Sequence, residues 1–144
     1  MPFPTPRPGL VIGYAYLWLD EHRRGRLEGA KDRPCAIVLT TEDEAGEIVV
    51  TVAPITHSQP RDEKGAVEIP GPTKRRLGLD DERSWVVVTE VNQFVWAGPD
   101  LRPVSREQPA RFDFGMLPPA LFAQIRTVLI EHIRKRQTGL VPRT

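Results

Sequence analysis

Apolar residues in this chain occur in short runs separated by polar, proline-rich or glycine-rich stretches. β-Branched and aromatic residues dominate the runs, which is typical of strands. Five or six short strands with turn residues between them predict a mainly β fold, either a small antiparallel barrel or a sandwich. A parallel sheet would need crossover helices that the pattern does not contain. The predicted strands are residues 10–19, 34–41, 48–55, 66–69 and 84–91, with 94–97 continuing the last strand past a bend near 92–93.

Residues 34–41 and 48–55 are predicted to pair as a hairpin. The acidic turn between them contains Gly46, whose freedom to take a positive φ suits a tight connection. Before the hairpin, residues 20–32 are polar and predict an exposed loop that is longer than a usual hairpin connection. Residues 71–76 form a second polar segment, which is basic and punctuated by glycine and proline.

One helix is predicted, near the C-terminal end of the sequence. Pro118 and Pro119 can begin it, because the first turn of a helix needs no amide donor from proline. Apolar residues then recur at helical spacing, so we expect this helix to cap the barrel. The stripe consists of Leu121, Phe122, Ile125, Val128, Leu129, His132 and Ile133.

The length of 144 residues predicts a single domain with one core. We assign this domain to residues 9–137, after a proline-rich leader at 1–9 and before a frayed tail at 138–144. The 20 Lys and Arg residues nearly balance the 19 Asp and Glu residues. The net charge of +1 therefore neither requires nor excludes a nucleic-acid partner.

The single cysteine, Cys35, lies in an apolar run and predicts a buried thiol in a reducing compartment. The first residues lack the apolar stretch of a signal peptide, and no run reaches the roughly 18 apolar residues of a membrane span. We therefore expect a soluble, cytoplasmic protein. The histidines and the cysteine show no metal-ligand spacing, so no metal or other cofactor is predicted.

The residues that carry candidate chemistry flank the open end of the predicted hairpin. Arg33 precedes its first strand and Thr56 follows its second, so pairing brings both residues to one end. Glu28 lies shortly before Arg33, and His57 follows Thr56 directly. A carboxylate, a guanidinium, a hydroxyl and an imidazole are together able to bind and cleave a phosphodiester.

The order of these features resembles the MazF/PemK/Kid family of toxin endoribonucleases. The most specific elements are Arg33-Pro34 before an apolar strand and Pro54-Ile55-Thr56 at the end of the next, with Glu28 at a further family position. The resemblance covers residues 9 to about 135. It implies a small Src-homology-3-like antiparallel barrel of the CcdB/MazF/PemK type, a homodimer, and a role as the toxin of a toxin–antitoxin pair.

The resemblance also implies metal-independent, sequence-selective cleavage of single-stranded RNA, inhibited by a cognate antitoxin protein. Arg33 would hold the phosphate, Thr56 would donate its hydroxyl, and Glu28 would take the 2′-hydroxyl proton. His57, where the family commonly has serine, is a candidate proton donor. Each residue has a structural alternative: an ion pair of Arg33 with Asp32 or Glu28, a local turn bond at Thr56, and a solvated side chain at Glu28 and at His57.

Basic residues outside this cluster, with one glutamine, are candidates for binding RNA. The same charges equally suit solvated loops or a docking face for an acidic antitoxin segment. Trp18, Trp85 or Trp96 could stack unpaired bases, although a core position suits each of them as well. The candidates are Arg23, Arg24, Arg26, Lys31, Lys74, Arg75, Arg76 and Gln93.

The chain departs from the family pattern near the end of the long strand. The family commonly has an Asp-Gln pair followed by a basic residue, whereas this chain has Glu90, Asn92, Gln93 and Val95. The missing positive charge favours a rival hypothesis, a non-enzymatic protein on the same barrel. Such a protein would be a CcdB-like gyrase inhibitor or a degenerate family member that binds RNA or a partner.

Overall fold

The computed structural model describes residues 3–25, 31–135 and 138–143, apart from the side chain of Lys31. Within these residues the chain is mainly β, with nine strands and three α-helices, the last of them near the C-terminal end. The strands are β1 (Leu10–Tyr16), β2 (Lys31–Glu42), β3 (Ile48–Thr56), β4 (Ala66–Glu68), β5 (Trp85–Val87), β6 (Glu90–Val95), β7 (Leu101–Arg102), β8 (Asp113–Met116) and β9 (Gly139–Pro142). The helices are α1 (Leu19–Arg23), α2 (Gly71–Leu77) and α3 (Pro119–Arg134).

The nine strands form one sheet along the path β4-β5-β3-β2-β1-β7. Strand β6 pairs with β3 and with β9, and β8 pairs with β1. All of these pairs are antiparallel except β6 with β9. The mainly β prediction is confirmed, but the predicted barrel is not closed, because no pairing among the described strands joins β4 to β7.

The β2–β3 hairpin was predicted correctly, with Gly46 in its turn at φ 81°. Its register pairs Cys35 with Pro54 and passes through a bulge between Ile37 and Leu39. Side chains alternate between the faces of a strand, so this register determines which residues of β2 and β3 share a face.

Two groups of buried side chains form the core. One lies between the sheet and α3, where Leu121, Ile125, Leu129 and His132 of the predicted stripe are buried. Phe122 and Val128 are half-buried, and Ile133 is exposed, contrary to the prediction. The other surrounds Tyr14 of β1, whose ring stacks on Phe94 at a centroid distance of 4.6 Å. Every residue of β1 is buried, and the Cys35 side chain is fully buried as predicted.

The structure corrects the sequence prediction at three segments. Part of the predicted loop at residues 20–32 is the short helix α1, and the basic segment 71–76 is the helix α2. Pro72 fits the first turn of α2, and Gly78 ends it with φ 75°. The predicted strand 84–91 is two strands, interrupted at residues 88–89 rather than bending near 92–93, because β5 pairs with the end of β3 and β6 with its beginning.

The prediction of a frayed tail at residues 138–144 is wrong for the part that the structure describes. Residues 139–142 form β9, and the side chain of Val141 is fully buried. Arg143 is buried as well, where its Nη2 lies 2.7 Å from Oδ2 of Asp100. A buried charge needs such a partner, so this ion pair permits the tail to pack. Separately, none of the described helices is long and apolar enough to cross a membrane.

Candidate functional site

A cavity of about 520 Å³ opens at the end of the β2–β3 hairpin. One wall comes from the residues after β1 and the first residues of β2. The rest of the lining comes from the end of β3, the two residues after it and the loop after α2. The lining residues are Trp18, Asp32, Arg33, Pro34, Ile55, Thr56, His57, Ser58, Leu79, Asp80 and Ser84.

Arg33, Thr56 and His57 therefore line the same cavity, as the sequence hypothesis requires. The register explains why two of them meet. The last pair of this antiparallel alignment is Cys35 with Pro54, and Arg33 and Thr56 each lie two residues beyond it, one on each strand. The pairing of β2 with β3 thus holds the guanidinium and the hydroxyl at one end of the hairpin.

Arg33 is half-buried beside an aromatic ring. Its guanidinium carbon lies 5.0 Å from the centroid of the Trp18 ring, within cation–π distance. No carboxylate among the described residues pairs with it, and its buried Nε has no hydrogen-bond partner. The alternative ion pair with Asp32 is not formed, because Asp32 lies 3.6 Å from Arg102 instead. The alternative partner Glu28 lies outside the described residues.

Thr56 already makes the local bond of its structural alternative. Its Oγ1 accepts a hydrogen bond from the backbone amide of Ser58 at 3.1 Å. That bond uses an acceptor lone pair and leaves the hydroxyl proton able to be donated. Thr56 can therefore form the turn and still donate to an anion in the cavity.

His57 is not a solitary surface histidine. Its Nε2 lies 2.6 Å from Oδ2 of Asp80, and its Nδ1 lies 3.6 Å from Oε2 of Glu82. The other oxygen of Asp80 accepts from Nζ of Lys74 at 2.8 Å. Partial burial raises the pKa of Asp80, but the hydrogen bonds from Lys74 and from the Glu82 amide and the nearby His57 outweigh it and lower that pKa overall.

A metal ion is sterically conceivable at this cluster. One ligand atom each from His57, Asp80 and Glu82 lies within 4.8 Å of the other two, close enough for one cation. All three residues are exposed, and the Lys74 ammonium already neutralises part of the negative charge at Asp80. A proton held between His57 and Asp80 accounts for the 2.6 Å contact without any ion.

The predicted RNA-binding residues do not gather at the cavity. Arg23 and Arg24 are exposed on or beside α1, and Arg24 pairs with Asp20 at 3.2 Å. Gln93 donates to Thr51 on β3 and does not line the cavity. Arg75 and Arg76 are exposed on α2, whereas Glu28, Arg26 and the side chain of Lys31 lie outside the described part of the chain.

The structure contradicts the RNA-binding prediction for Lys74. Only 4% of this residue is exposed, because α2 turns its side chain inward. Its ammonium donates to Asp80 and to the backbone carbonyl of Glu82. The two contacts of this buried ammonium fix the loop after α2. The ammonium is therefore not available to a phosphate.

Two departures from the family pattern have structural roles. The side chain of Asn92 is fully buried. Its Oδ1 accepts from the backbone amide of Leu17 at 3.0 Å, and its Nδ2 donates to the backbone carbonyl of Leu17 at 2.8 Å. Glu90 accepts from the Leu19 amide at 2.7 Å and from the Tyr16 hydroxyl at 3.1 Å. Partial burial raises the pKa of Glu90 despite these two hydrogen bonds. Both side chains hold the segment that carries Trp18.

Asp80 was not predicted from the sequence, which also left two roles open for Trp18. Asp80 lies in an acidic run directly after the basic segment, and nothing local in that pattern points to His57. Trp18 also borders a second cavity, of about 490 Å³, which shares Trp18, Thr56 and Ser58 with the first. The two cavities thus lie side by side along one face of the molecule.

A scan against models of known protein families found no match to this chain, and a search of curated proteins found none either.

Proposed function

We propose that this protein is a metal-independent, sequence-selective endoribonuclease that cleaves single-stranded RNA. The observation that supports it is the shared cavity of Arg33 and Thr56, in which the guanidinium has no carboxylate partner among the described residues. A guanidinium that no described carboxylate neutralises, beside a donor hydroxyl, is an arrangement that can bind a phosphodiester and its developing charge. The proposal includes the toxin role, the homodimer and the cognate antitoxin partner that the resemblance implies, together with the cytoplasmic location expected from the sequence.

In this proposal a phosphate of the RNA lies between Arg33 and Thr56. The 2′-oxygen attacks the phosphorus and the bond to the 5′-oxygen breaks, which leaves a 2′,3′-cyclic phosphate and a 5′-hydroxyl. Glu28 is the proposed base for the 2′-hydroxyl proton, on the resemblance alone. Arg33 stabilises the charge on the phosphate oxygens, where its planar fork can contact two of them at once.

We also propose that the sheet is an open variant of the Src-homology-3-like fold of the CcdB/MazF/PemK type. The rival function, a CcdB-like gyrase inhibitor or a non-enzymatic binding protein, drew its support from Glu90, Asn92 and Val95. The first two have the structural roles described above, and Val95 pairs with Val49 of β3. These contacts give the three residues places in the fold, and the missing positive charge remains the feature that favours the rival.

The test is cleavage of a long unstructured RNA by purified protein in the presence of a chelator. We expect discrete cuts with 5′-hydroxyl ends, which vanish in Arg33→Ala and persist in Arg106→Ala, a matched change of an exposed arginine away from the cavity. Intact RNA together with inhibited gyrase supercoiling would select the rival. Cuts that survive in Arg33→Ala would exclude this cavity as the site.

A further inference from the structure

We propose that Asp80 is a positioning residue that orients His57 as the general acid of the cleavage step, with Lys74 holding Asp80 in place. The inference rests on the proposed function, since it assigns the proton that the leaving 5′-oxygen needs. It extends that function, because Asp80 and Lys74 lie outside the residues that carry the resemblance.

The contact between His57 and Asp80 is the shortest of the ion pairs described. Nε2 of His57 lies 2.6 Å from Oδ2 of Asp80, the distance of a strong charge-assisted hydrogen bond. A carboxylate in this position keeps a proton on Nε2 and fixes the orientation of the ring. Nδ1 is then the ring nitrogen that remains for exchange with a substrate.

Asp80 is itself fixed on its other side. Its Oδ1 accepts from Nζ of Lys74 at 2.8 Å and from the Glu82 amide at 3.1 Å. Lys74 is buried, and the Leu79 amide donates to its carbonyl at 2.9 Å, so the end of α2 and the following loop are joined. Only Oδ2 of Asp80 is left to face His57, as in the base–orienter pairs of other enzymes.

The position of Nδ1 also fits an acid. Its described carboxylate neighbour, Oε2 of Glu82, lies 3.6 Å away, beyond ordinary hydrogen-bond length. When the ring is protonated, Nδ1 therefore carries a proton that no described group holds tightly. His57 and Thr56 are adjacent in the chain and line one cavity, so the His57 ring lies beside the place where the phosphate is proposed to bind.

Each proton in the proposed step has a donor and an acceptor, and the base releases its proton to water before the next cycle. The 2′-oxygen forms its bond to phosphorus after giving its proton to the proposed base, and the bond between phosphorus and the 5′-oxygen breaks with its electron pair on oxygen. The Nδ1 proton of His57 passes to that oxygen and yields the 5′-hydroxyl. Water returns a proton to the ring in the next cycle, and no oxidant, metal or further reactant is consumed.

The test uses two versions of one short RNA that spans a cleavage site mapped with the wild-type protein. One has the normal 5′-oxygen at the scissile bond, and the other has a bridging sulfur there. A thiolate leaves without protonation, so the sulfur substrate does not need the acid. The variants are His57→Ala and Asp80→Asn, with Asp81→Asn as the matched control on the exposed neighbouring residue.

On the oxygen substrate we expect kcat to fall about 10²-fold or more in His57→Ala and roughly tenfold to 10²-fold in Asp80→Asn. KM should change little, and Asp81→Asn should match the wild type. On the sulfur substrate both variants should recover to within a few-fold of the wild type, which also shows that they fold. Arg33→Ala should stay inactive on both substrates.

Two results would overturn the inference while leaving the proposed function intact. One is an Asp80→Asn variant as active as the wild type on the oxygen substrate. The other is an equal loss on both substrates, which would mark a structural role. A wild-type protein that cleaves neither RNA would remove the proposed function and this inference together.

Discussion

Arg143 and Asp100 form a buried ion pair, with 2.7 Å between Nη2 of the arginine and Oδ2 of the aspartate. The same guanidinium donates to the Asn92 side chain at 3.1 Å and to the Ala15 carbonyl at 3.3 Å. It therefore joins β9 to the ends of β1 and β6. Asn92 in turn bonds to Leu17, one residue before the cavity residue Trp18. This network connects the packing of β9 to the cavity wall.

Removing the cation of this pair is expected to destabilise the fold. Arg143→Ala removes the nearest cation from Asp100 and one contact from Asn92 in a largely buried place, which costs about 3 kcal/mol or more in the free energy of unfolding. Urea unfolding measures it, with Arg106→Ala as the exposed control, expected within about 0.5 kcal/mol of wild type. The double variant Arg143→Met with Asp100→Leu should recover part of the loss. An unchanged midpoint in Arg143→Ala would contradict the burial of this residue.

The burial of Glu90 predicts that its contribution to stability decreases as the pH rises. Its pKa in the folded protein is raised by burial, so the folded state binds this proton more tightly than the unfolded chain. This contribution to stability is complete below the unfolded pKa, about 4.3, and is lost as the pH rises through the raised folded pKa. Glu90→Gln removes the dependence, since an amide oxygen can accept from Leu19 and Tyr16 without titrating.

The measurement is the difference in unfolding free energy, variant minus wild type, from pH 4 to pH 8. We expect the difference to grow in favour of Glu90→Gln as the pH rises. Glu107→Gln, at an exposed glutamate, is the control for a general charge effect. A difference that stays flat across the range would show that burial does not govern the ionisation of Glu90.

Lys74 and Arg75 are neighbours in the chain, but only Lys74 is expected to contribute to stability. Lys74→Ala removes a buried ammonium from Asp80 and the Glu82 carbonyl, and we expect a loss of about 1 to 3 kcal/mol in unfolding free energy. Arg75→Ala should leave stability within about 0.5 kcal/mol, because its side chain is exposed. Binding of a non-cleavable, 2′-deoxy-substituted oligonucleotide then distinguishes a role in stability from a role in RNA binding. A Lys74→Ala protein that folds normally but binds RNA more weakly would restore the original RNA-binding prediction.

Trp18 is expected to contribute to RNA binding and to the orientation of Arg33. Its ring borders both cavities and lies under the guanidinium. Trp18→Leu should weaken binding of the non-cleavable oligonucleotide by about 1 to 3 kcal/mol, the range of one base stacked on an aromatic ring. Trp18→Phe keeps a ring face and should retain most of the affinity. Equal affinities in all three proteins would mean that no base stacks here.

Elements with a strong local pattern could be predicted from the sequence. Strand β1 is an uninterrupted apolar run, the β2–β3 hairpin has its turn glycine, and α3 has a stripe of helical period. Helix α2 has a single apolar residue, Leu77, buried against the core, so its periodicity was not visible. Strand β9 pairs in parallel with β6 and depends on the partner of Arg143, neither of which is a local property.

The candidate site also has a part that could be predicted from the sequence and a part that could not. Arg33 and Thr56 could be brought together from the sequence because one hairpin connects them. The partnership of His57 with Asp80 could not, because the residues between them include β4 and α2, whose packing determines where the acidic run lies. Burial of Lys74 escaped prediction for a related reason: a basic residue in a polar segment gives no sign of which side of a short helix it occupies.

The alignment of β2 with β3 has a consequence for finding related proteins by sequence. The turn that joins these strands lies at the end of the hairpin far from the cavity, so the number of residues separating Arg33 from Thr56 is incidental. The number of residues in that turn can change without moving either side chain, whereas an insertion inside a strand that no β-bulge absorbs would move Arg33 or Thr56 to the other face of the sheet. A search for related sequences should therefore allow the number of residues in the turn to vary, and should keep the arginine and the threonine on the same face of the two strands.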